Sequence, residues 1–287
     1  MNCNKLKSLI RAALKEDIGT RDITTELVIP EDKFIKAVLL AKENFVLCGL
    51  DIAKEVFRQQ EAGIKFRPLV KEGSSVKKGR ILARIEGKAR AIFTAERVAL
   101  NFLGLLSGIA TTTREYVTAA RPYRVKIMDT RKTIPGLRQL EKYAVRIGGG
   151  YNHRMRLDEM VLVKDNHIKA IGDRLWVMGF REAKDKIPSN IKVEIEVKTL
   201  KEFKKALNLR PDIVMLDNMS IAVIRKAVQL RNRLSPNTYH LTPKLEASGG
   251  ITLKNVRKVA STGVDMISIG ALTHSVKTAD TSLEALK

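Results

Sequence analysis

Residues 192–232 read KVEIEVKTLKEFKKALNLRPDIVMLDNMSIAVIRKAVQLRN, and their rhythm decides the fold. A short apolar run, VEIEV (193–197), gives way to a polar turn, after which LKEFKKAL (200–207) repeats its apolar residues with helical spacing. IVML (213–216) and IAVIRKAVQLRN (221–232) follow the same order. Apolar runs too short for helices, alternating with amphipathic stretches, predict strand–helix units on a parallel sheet.

Outward from this stretch the unit recurs. Further short runs stand at VKIM (125–128), MVLV (160–163), KLEA (244–247) and MISI (266–269), with helical segments at LRQLEKYAVRI (137–147) and LKNVRKVA (253–260). Six or seven units closing on themselves would make a barrel. An open doubly wound sheet would give the same alternation, but no glycine-rich dinucleotide fingerprint follows the first strand, so the barrel is preferred.

The first hundred residues have another rhythm. LKSLIRAALKED (6–17) and DIAKEVFRQQ (51–60) read as helices, GTRDITT (19–25) as a turn, and FIKAVLLAKE (34–43) as a strand. LVKEGSSVKKGRILARIEG (69–87) resembles the glycine-punctuated hairpin of biotinyl and lipoyl carrier domains, but it lacks a modifiable lysine in a Met-Lys-Met setting, so the hairpin is read as structural. Residues 91–120 read as two successive helices joined near Gly104 and Gly108.

The chain has 287 residues, 44% hydrophobic and 29% charged, which suits one large folded domain or two ordinary ones and excludes a disordered chain. No uninterrupted apolar run approaches a membrane span and the amino terminus is charged and amphipathic, so the protein is expected in the cytoplasm. Cys3 and Cys48 lie too far apart for a metal or redox pair motif. The abnormal quantity is charge: 53 Lys and Arg against 31 Asp and Glu leave +22. Such an excess points to anionic partners, nucleic acid among them. Yet aromatic residues are few, no zinc spacing or nucleic-acid motif is present, and residues 121–170 alone carry twelve basic against five acidic residues. A basic cleft for small anions accounts for this at least as well.

Each short run hands over to a polar or glycine turn: Asp129-Thr130-Arg131-Lys132, Lys164-Asp165-Asn166-His167, Glu196 near the end of VEIEV, Asp217-Asn218, Ser248-Gly249-Gly250 and Gly270. In a parallel barrel those ends open onto one face, so these residues would converge on one cleft. Arg131, Lys132, His153, Arg154 and Lys164 form a cationic set suited to carboxylates and phosphates. Glu196 and Asp217 suit Mg²⁺ held together with substrate oxygens, although for either acid alone a salt bridge to a nearby lysine fits equally. The two glycine turns offer backbone N–H groups near the starts of following helices as a phosphate cradle.

DTRKTIPGLRQLEKYAVRIGGGYNHR (129–154), VLVKDNHI (161–168), VEIEV (193–197), VMLDNMS (214–220), LEASGGI (245–251) and SIGALTHS (268–275) resemble, in order, the motifs of the quinolinate phosphoribosyltransferases. EDIGTRDITT (16–25) and TAERVALNFLGLLSGIAT (94–111) resemble that family's amino-terminal half. Arg156 departs from the pattern, standing where many members carry a small residue, and LSPNTYHLTPK (234–244) carries no signature.

The resemblance implies an α/β protein with an N-terminal α/β sandwich domain (1–110, joined by 275–287) and an incomplete barrel of the type II phosphoribosyltransferase kind (111–274). It implies transfer of a phosphoribosyl group from phosphoribosyl pyrophosphate to quinolinate, with Mg²⁺, in a homodimer whose neighbouring subunit supplies Arg97; neither nucleic acid nor a membrane is an expected partner. Carried over, Arg97, Arg131, His153 and Arg154 hold the quinolinate carboxylates, and Lys132 and Lys164 lie between that substrate and the phosphates. Glu196 and Asp217 hold ribose hydroxyls and Mg²⁺, and Ser248, Gly249, Gly250 and Gly270 hold the 5′-phosphate. A same-fold relative with another acceptor is the nearer alternative and a nucleic-acid-binding protein the distant one.

Overall fold

A computed structural model describes residues 3–172, 177–180, 182, 186–233 and 242–286, so most of LSPNTYHLTPK lies outside the described residues. The chain divides into two compact units. The first takes residues up to Arg114, then 134–149, then 272 onward; the second takes 115–133 and 150–271.

The first unit contains α1 (Cys3–Ile18), α2 (Ile23–Val28), β1 (Phe34–Ala41), β2 (Phe45–Val46), α3 (Leu50–Gln60), β3 (Lys65–Pro68), β4 (Ser75–Val76) and β5 (Ile81–Lys88). The expected turn at 19–25 holds over its first residues, but its last three begin α2, because Asp22 caps that helix by accepting the Thr25 N–H at 3.0 Å. The expected hairpin at 69–87 is not one. β4 pairs with β2, whereas β5 lies in an antiparallel sheet between β1 and β3, with β12 (Thr281–Leu286) beyond β1. β1 is thus flanked on both sides, as its nearly unbroken apolar run requires.

Residues 91–120 form one helix, α4 (Ala89–Ala119), rather than two. Its glycines mark close approach rather than a break. A Cβ on Gly104 would stand 2.7 Å from the Ala279 carbonyl oxygen, and one on Gly108 would stand 2.1 Å from that of Lys277. The Ala279 N–H donates to the Gly104 carbonyl at 2.9 Å, which ties the returning carboxyl-terminal segment to the helix. α4 is long and apolar enough to span a bilayer, yet 67% of its most apolar window is buried, and Ile92, Leu103, Leu106 and Ile109 are fully covered. Each such side chain contributes roughly 1.5–3 kcal/mol by leaving water.

The second unit is built on β6 (Lys126–Met128), followed in the chain by α5 (Arg138–Ile147), which clusters with the first unit. Then come β7 (Met160–Val163), α6 (Asp165–Ile171), β8 (Lys192–Val197), α7 (Leu200–Leu207), β9 (Ile213–Asp217), α8 (Ile221–Arg233), β10 (Lys244–Ser248), α9 (Val256–Ala260), β11 (Met266–Ser268) and α10 (Ala271–His274). The six strands are parallel, in the order β6-β11-β10-β9-β8-β7. No ladder joins β6 to β7 among the described residues, so the barrel does not close as an unbroken sheet. Tyr151 instead bridges to Met128, and Arg154 Nη1 donates to the Met160 carbonyl at 2.7 Å, so residues 151–154 lie between the two edge strands.

Candidate active site

Strand alternation sorts the barrel side chains into two faces. On β8, Val193, Ile195 and Val197 face outward toward the helices, which leaves Glu194 and Glu196 inside. The same parity puts Asp217 of β9 and Glu246 and Ser248 of β10 inside. The register then levels them: Ser248 pairs with Asp217 on one side and with Ser268 on the other.

The carboxyl-end rim holds the expected strand-end residues of this unit, whereas His153 and Arg154 lie between the edge strands. Lys164 follows β7, Glu196 lies near the end of β8, Asp217 ends β9, Ser248 ends β10, and Arg131 and Lys132 follow β6. Glu196 is half-buried, and burial first, then the charge of Asp217, pushes its carboxyl above the usual range; Lys164 opposes this. Neither Glu196 nor Asp217 lies within ion-pair distance of a cation among the described residues. Asp165, by contrast, is occupied by Lys198 at 2.8 Å and Lys169 at 3.2 Å, which hold it at about 2. Two mutually repelling carboxylates at one rim are the kind of oxygen donor set a hard divalent cation takes, so the residues fit Mg²⁺.

The arginines carry the complementary charge. Burial, then the like charge of Arg131, pushes Arg154 below its ordinary value, so the two guanidiniums sense one another. The Nε of Arg131 is buried without a hydrogen-bond partner. Two partly buried cations held near one another cost free energy unless an anion meets them.

The Ser248-Gly249-Gly250 turn needs its glycines. Gly249 has φ +86°, and a Cβ there would stand 2.3 Å from Asn218 Oδ1; Gly250 has φ +62° and faces open space. The Gly249 and Gly250 N–H groups donate to nothing among the described residues, while Asn255 Nδ2 secures the Gly250 carbonyl at 2.8 Å. The helices that follow this turn and Gly270 are short, so the cradle rests on backbone N–H groups, as expected.

Below the rim lies a layer that sequence reasoning missed. His153 accepts the Arg154 N–H on Nδ1 at 2.9 Å, which turns Nε2 inward. Nε2 stands 3.1 Å from Glu194 and 3.7 Å from Glu246, in ion-pair range. Asp129 accepts the His153 N–H at 2.9 Å and Ser268 donates to Glu246 at 2.5 Å. His153, expected as a carboxylate ligand, thus stands beside the barrel's own acids, close enough for an ion pair. Both glutamates are fully buried and raised to about 8, first by burial; Glu196 and Glu194 respectively add repulsion. The signal was present: each stands two residues before a rim residue already singled out, on the same strand face. Lys198, one residue past VEIEV, was also missed. Arg97 is exposed on α4, in the first unit.

Known proteins share this architecture. The family described as quinolinate phosphoribosyl transferase matches in both parts, its N-terminal domain over residues 22–107 and its C-terminal domain over 109–284. A protein of Methanocaldococcus jannaschii described as a probable nicotinate-nucleotide pyrophosphorylase (carboxylating) is 43% identical, covering 97% of this chain and 96% of its own. Its counterpart in Mycobacterium leprae is 39% identical over 97% and 96%. The solved nicotinate-nucleotide pyrophosphorylase of Francisella tularensis superposes with a TM-score of 0.90 at 40% identity, covering 99% of this chain and 96% of its own.

Proposed function

We infer the chemistry of this cleft from one premise: the chain belongs to the quinolinate phosphoribosyltransferase family. It is an enzyme of the pentosyltransferase class, transferring the phosphoribosyl group of phosphoribosyl pyrophosphate to quinolinate and releasing pyrophosphate and carbon dioxide to leave nicotinate mononucleotide. The single observation that carries the assignment of roles is the sorting of charge around the rim. Cations follow β6 and β7, carboxylates end β8 and β9, and an open glycine turn ends β10.

Arg131 and Arg154 receive the two carboxylates of quinolinate, and His153, fixed by Asp129 and Glu194, holds the segment that carries Arg154. Lys132 and Lys164 sit toward the pyrophosphate, where they neutralise the leaving group. Ser248, Gly249, Gly250 and Gly270 take the 5′-phosphate through backbone N–H groups. Glu196 and Asp217 orient the ribose hydroxyls and would hold Mg²⁺, which when bound neutralises charge on the pyrophosphate oxygens.

The pyridine nitrogen attacks the anomeric carbon as the bond to pyrophosphate breaks through an oxocarbenium-like state. That step calls for two oriented anions and a stabilised leaving group rather than a protein nucleophile. The new ring cation then stabilises the carbanion left when the adjacent carboxylate departs as carbon dioxide, and a proton replaces it. Mononucleotide formation accordingly precedes decarboxylation. Cationic partners suit such substrates, because desolvating an unpartnered anion costs several kcal/mol and charge-assisted hydrogen bonds are roughly twice as strong as neutral ones. We further propose that the working form is a homodimer, with Arg97 of the neighbouring subunit joining the dicarboxylate site, and that it works in the cytoplasm.

A substrate panel tests the reading. Quinolinate with phosphoribosyl pyrophosphate and Mg²⁺ should release carbon dioxide and pyrophosphate, removing Mg²⁺ should abolish turnover, and nicotinate should not react. Turnover of nicotinate in preference to quinolinate would overturn it.

A further inference from the structure

The other end of the barrel carries a pattern of its own. The first residues of the six parallel strands, taken in sheet order from β6 to β7, are Lys126, Met266, Lys244, Ile213, Lys192 and Met160. Cation and apolar residue alternate without exception. Alternate strands of a barrel contribute to one interior layer, so three lysines come from β6, β10 and β8 and three apolar side chains from the strands between them. All six line a single cavity of about 700 Å³ at the amino-terminal mouth, within the usual range for small-molecule sites.

The cavity has a dry floor and a charged rim. Met128, Met160, Ile213 and Met266 form a buried cluster, while the three lysines are exposed. Lys192 and Lys244 have no ion-pair partner among the described residues, and Lys126 lies 5.0 Å above the Tyr151 ring, which also lines the cavity. Arg210 and Arg154 bring the cations to five, and His153 also lines the cavity. Two carboxylates face it: Asp212 already accepts the Val193 N–H at 2.7 Å, and Glu246 accepts the Ser268 hydroxyl. An apolar concavity ringed by cations offers burial to a flat or aliphatic body and charge-assisted bonds to its anionic end.

We propose that the amino-terminal mouth of the barrel is a second small-molecule site. It takes an organic anion whose charged group rests on the Lys126–Lys192–Lys244 ring and whose apolar body lies between Met160, Ile213 and Met266. None of these six residues is assigned to the reaction at the opposite mouth; Arg154 and His153, which are, also line the cavity, so Lys132→Ala serves as the control that separates the two sites.

Fluorescence titration of the full chain with anilinonaphthalene sulfonate, an aromatic anion, tests it. Saturable binding is expected, weakened at least tenfold in Lys192→Glu/Lys244→Glu and unchanged in Lys132→Ala. Single Lys192→Gln and Lys244→Gln variants, which should turn over quinolinate normally, would each weaken it about threefold and carry the test if the double variant does not fold. Failure of the wild type to bind, binding that survives the lysine substitutions, or loss in Lys132→Ala alone would overturn the proposal.

Discussion

Glu246 is the residue whose environment most restricts its chemistry. Buried between Ser268 and His153, with Glu194 close by, it keeps its proton until about pH 8, whereas in the unfolded chain it releases it near 4.5. Between those values the native state binds more protons than the unfolded state, so rising pH removes stability, by up to about 1.4 kcal/mol per unit for one group. Glu246→Gln keeps the shape without the titration. Calorimetric Tm should therefore fall less steeply across that window in the variant, and parallel slopes would show that Glu246 does not carry the retained proton. At the rim, Arg131→Ala or Lys132→Ala should nearly abolish turnover, by at least roughly 10²-fold, with circular dichroism unchanged. Normal activity in either purified variant refutes its role. The rim was legible because its residues end strands. The Glu194–His153–Glu246 layer was not, because a glutamate inside an apolar run looks like the solvent-facing half of an alternating strand until sheet closure decides which side is inside.

Elements show where local reading stops. Periodicity gave β7 and α7 to the residue, because each carries its own pattern. α4 was misread as two helices because glycine is a poor helix former when nothing else is known. What outweighs that penalty is a tertiary contact more than 160 residues away: Lys277 and Ala279 pack their carbonyls against Gly108 and Gly104. Gly108→Ala would raise helix propensity yet drive a Cβ to 2.1 Å from the Lys277 oxygen. We expect a loss of ~2 kcal/mol or more and a Tm lower by several degrees, with helix content retained. A Tm at or above that of the wild type would mean the carboxyl-terminal segment does not dock as described. Similarly, the 69–87 segment looked like one hairpin because its turn chemistry is right, but β4 and β5 pair with different neighbours. Pairing partners are not a local property.

For the whole molecule, part of the +22 charge gathers at two places on the barrel, the carboxyl-end rim and the opposite mouth. If the neighbouring subunit's Arg97 completes the first of these sites, mixing inactive Arg97→Ala with inactive Lys132→Ala subunits should restore part of the activity, since a heterodimer retains one intact site. No rescue after proven subunit exchange would argue for a site complete within one chain. The most direct measurement is a crystal structure with quinolinate and an unreactive phosphoribosyl pyrophosphate analogue bound together. The dicarboxylate should lie on Arg131 and Arg154, the 5′-phosphate on the Gly249–Gly250 turn, and the ribose hydroxyls between Glu196 and Asp217. Finding either substrate away from the carboxyl ends of the strands would contradict the account.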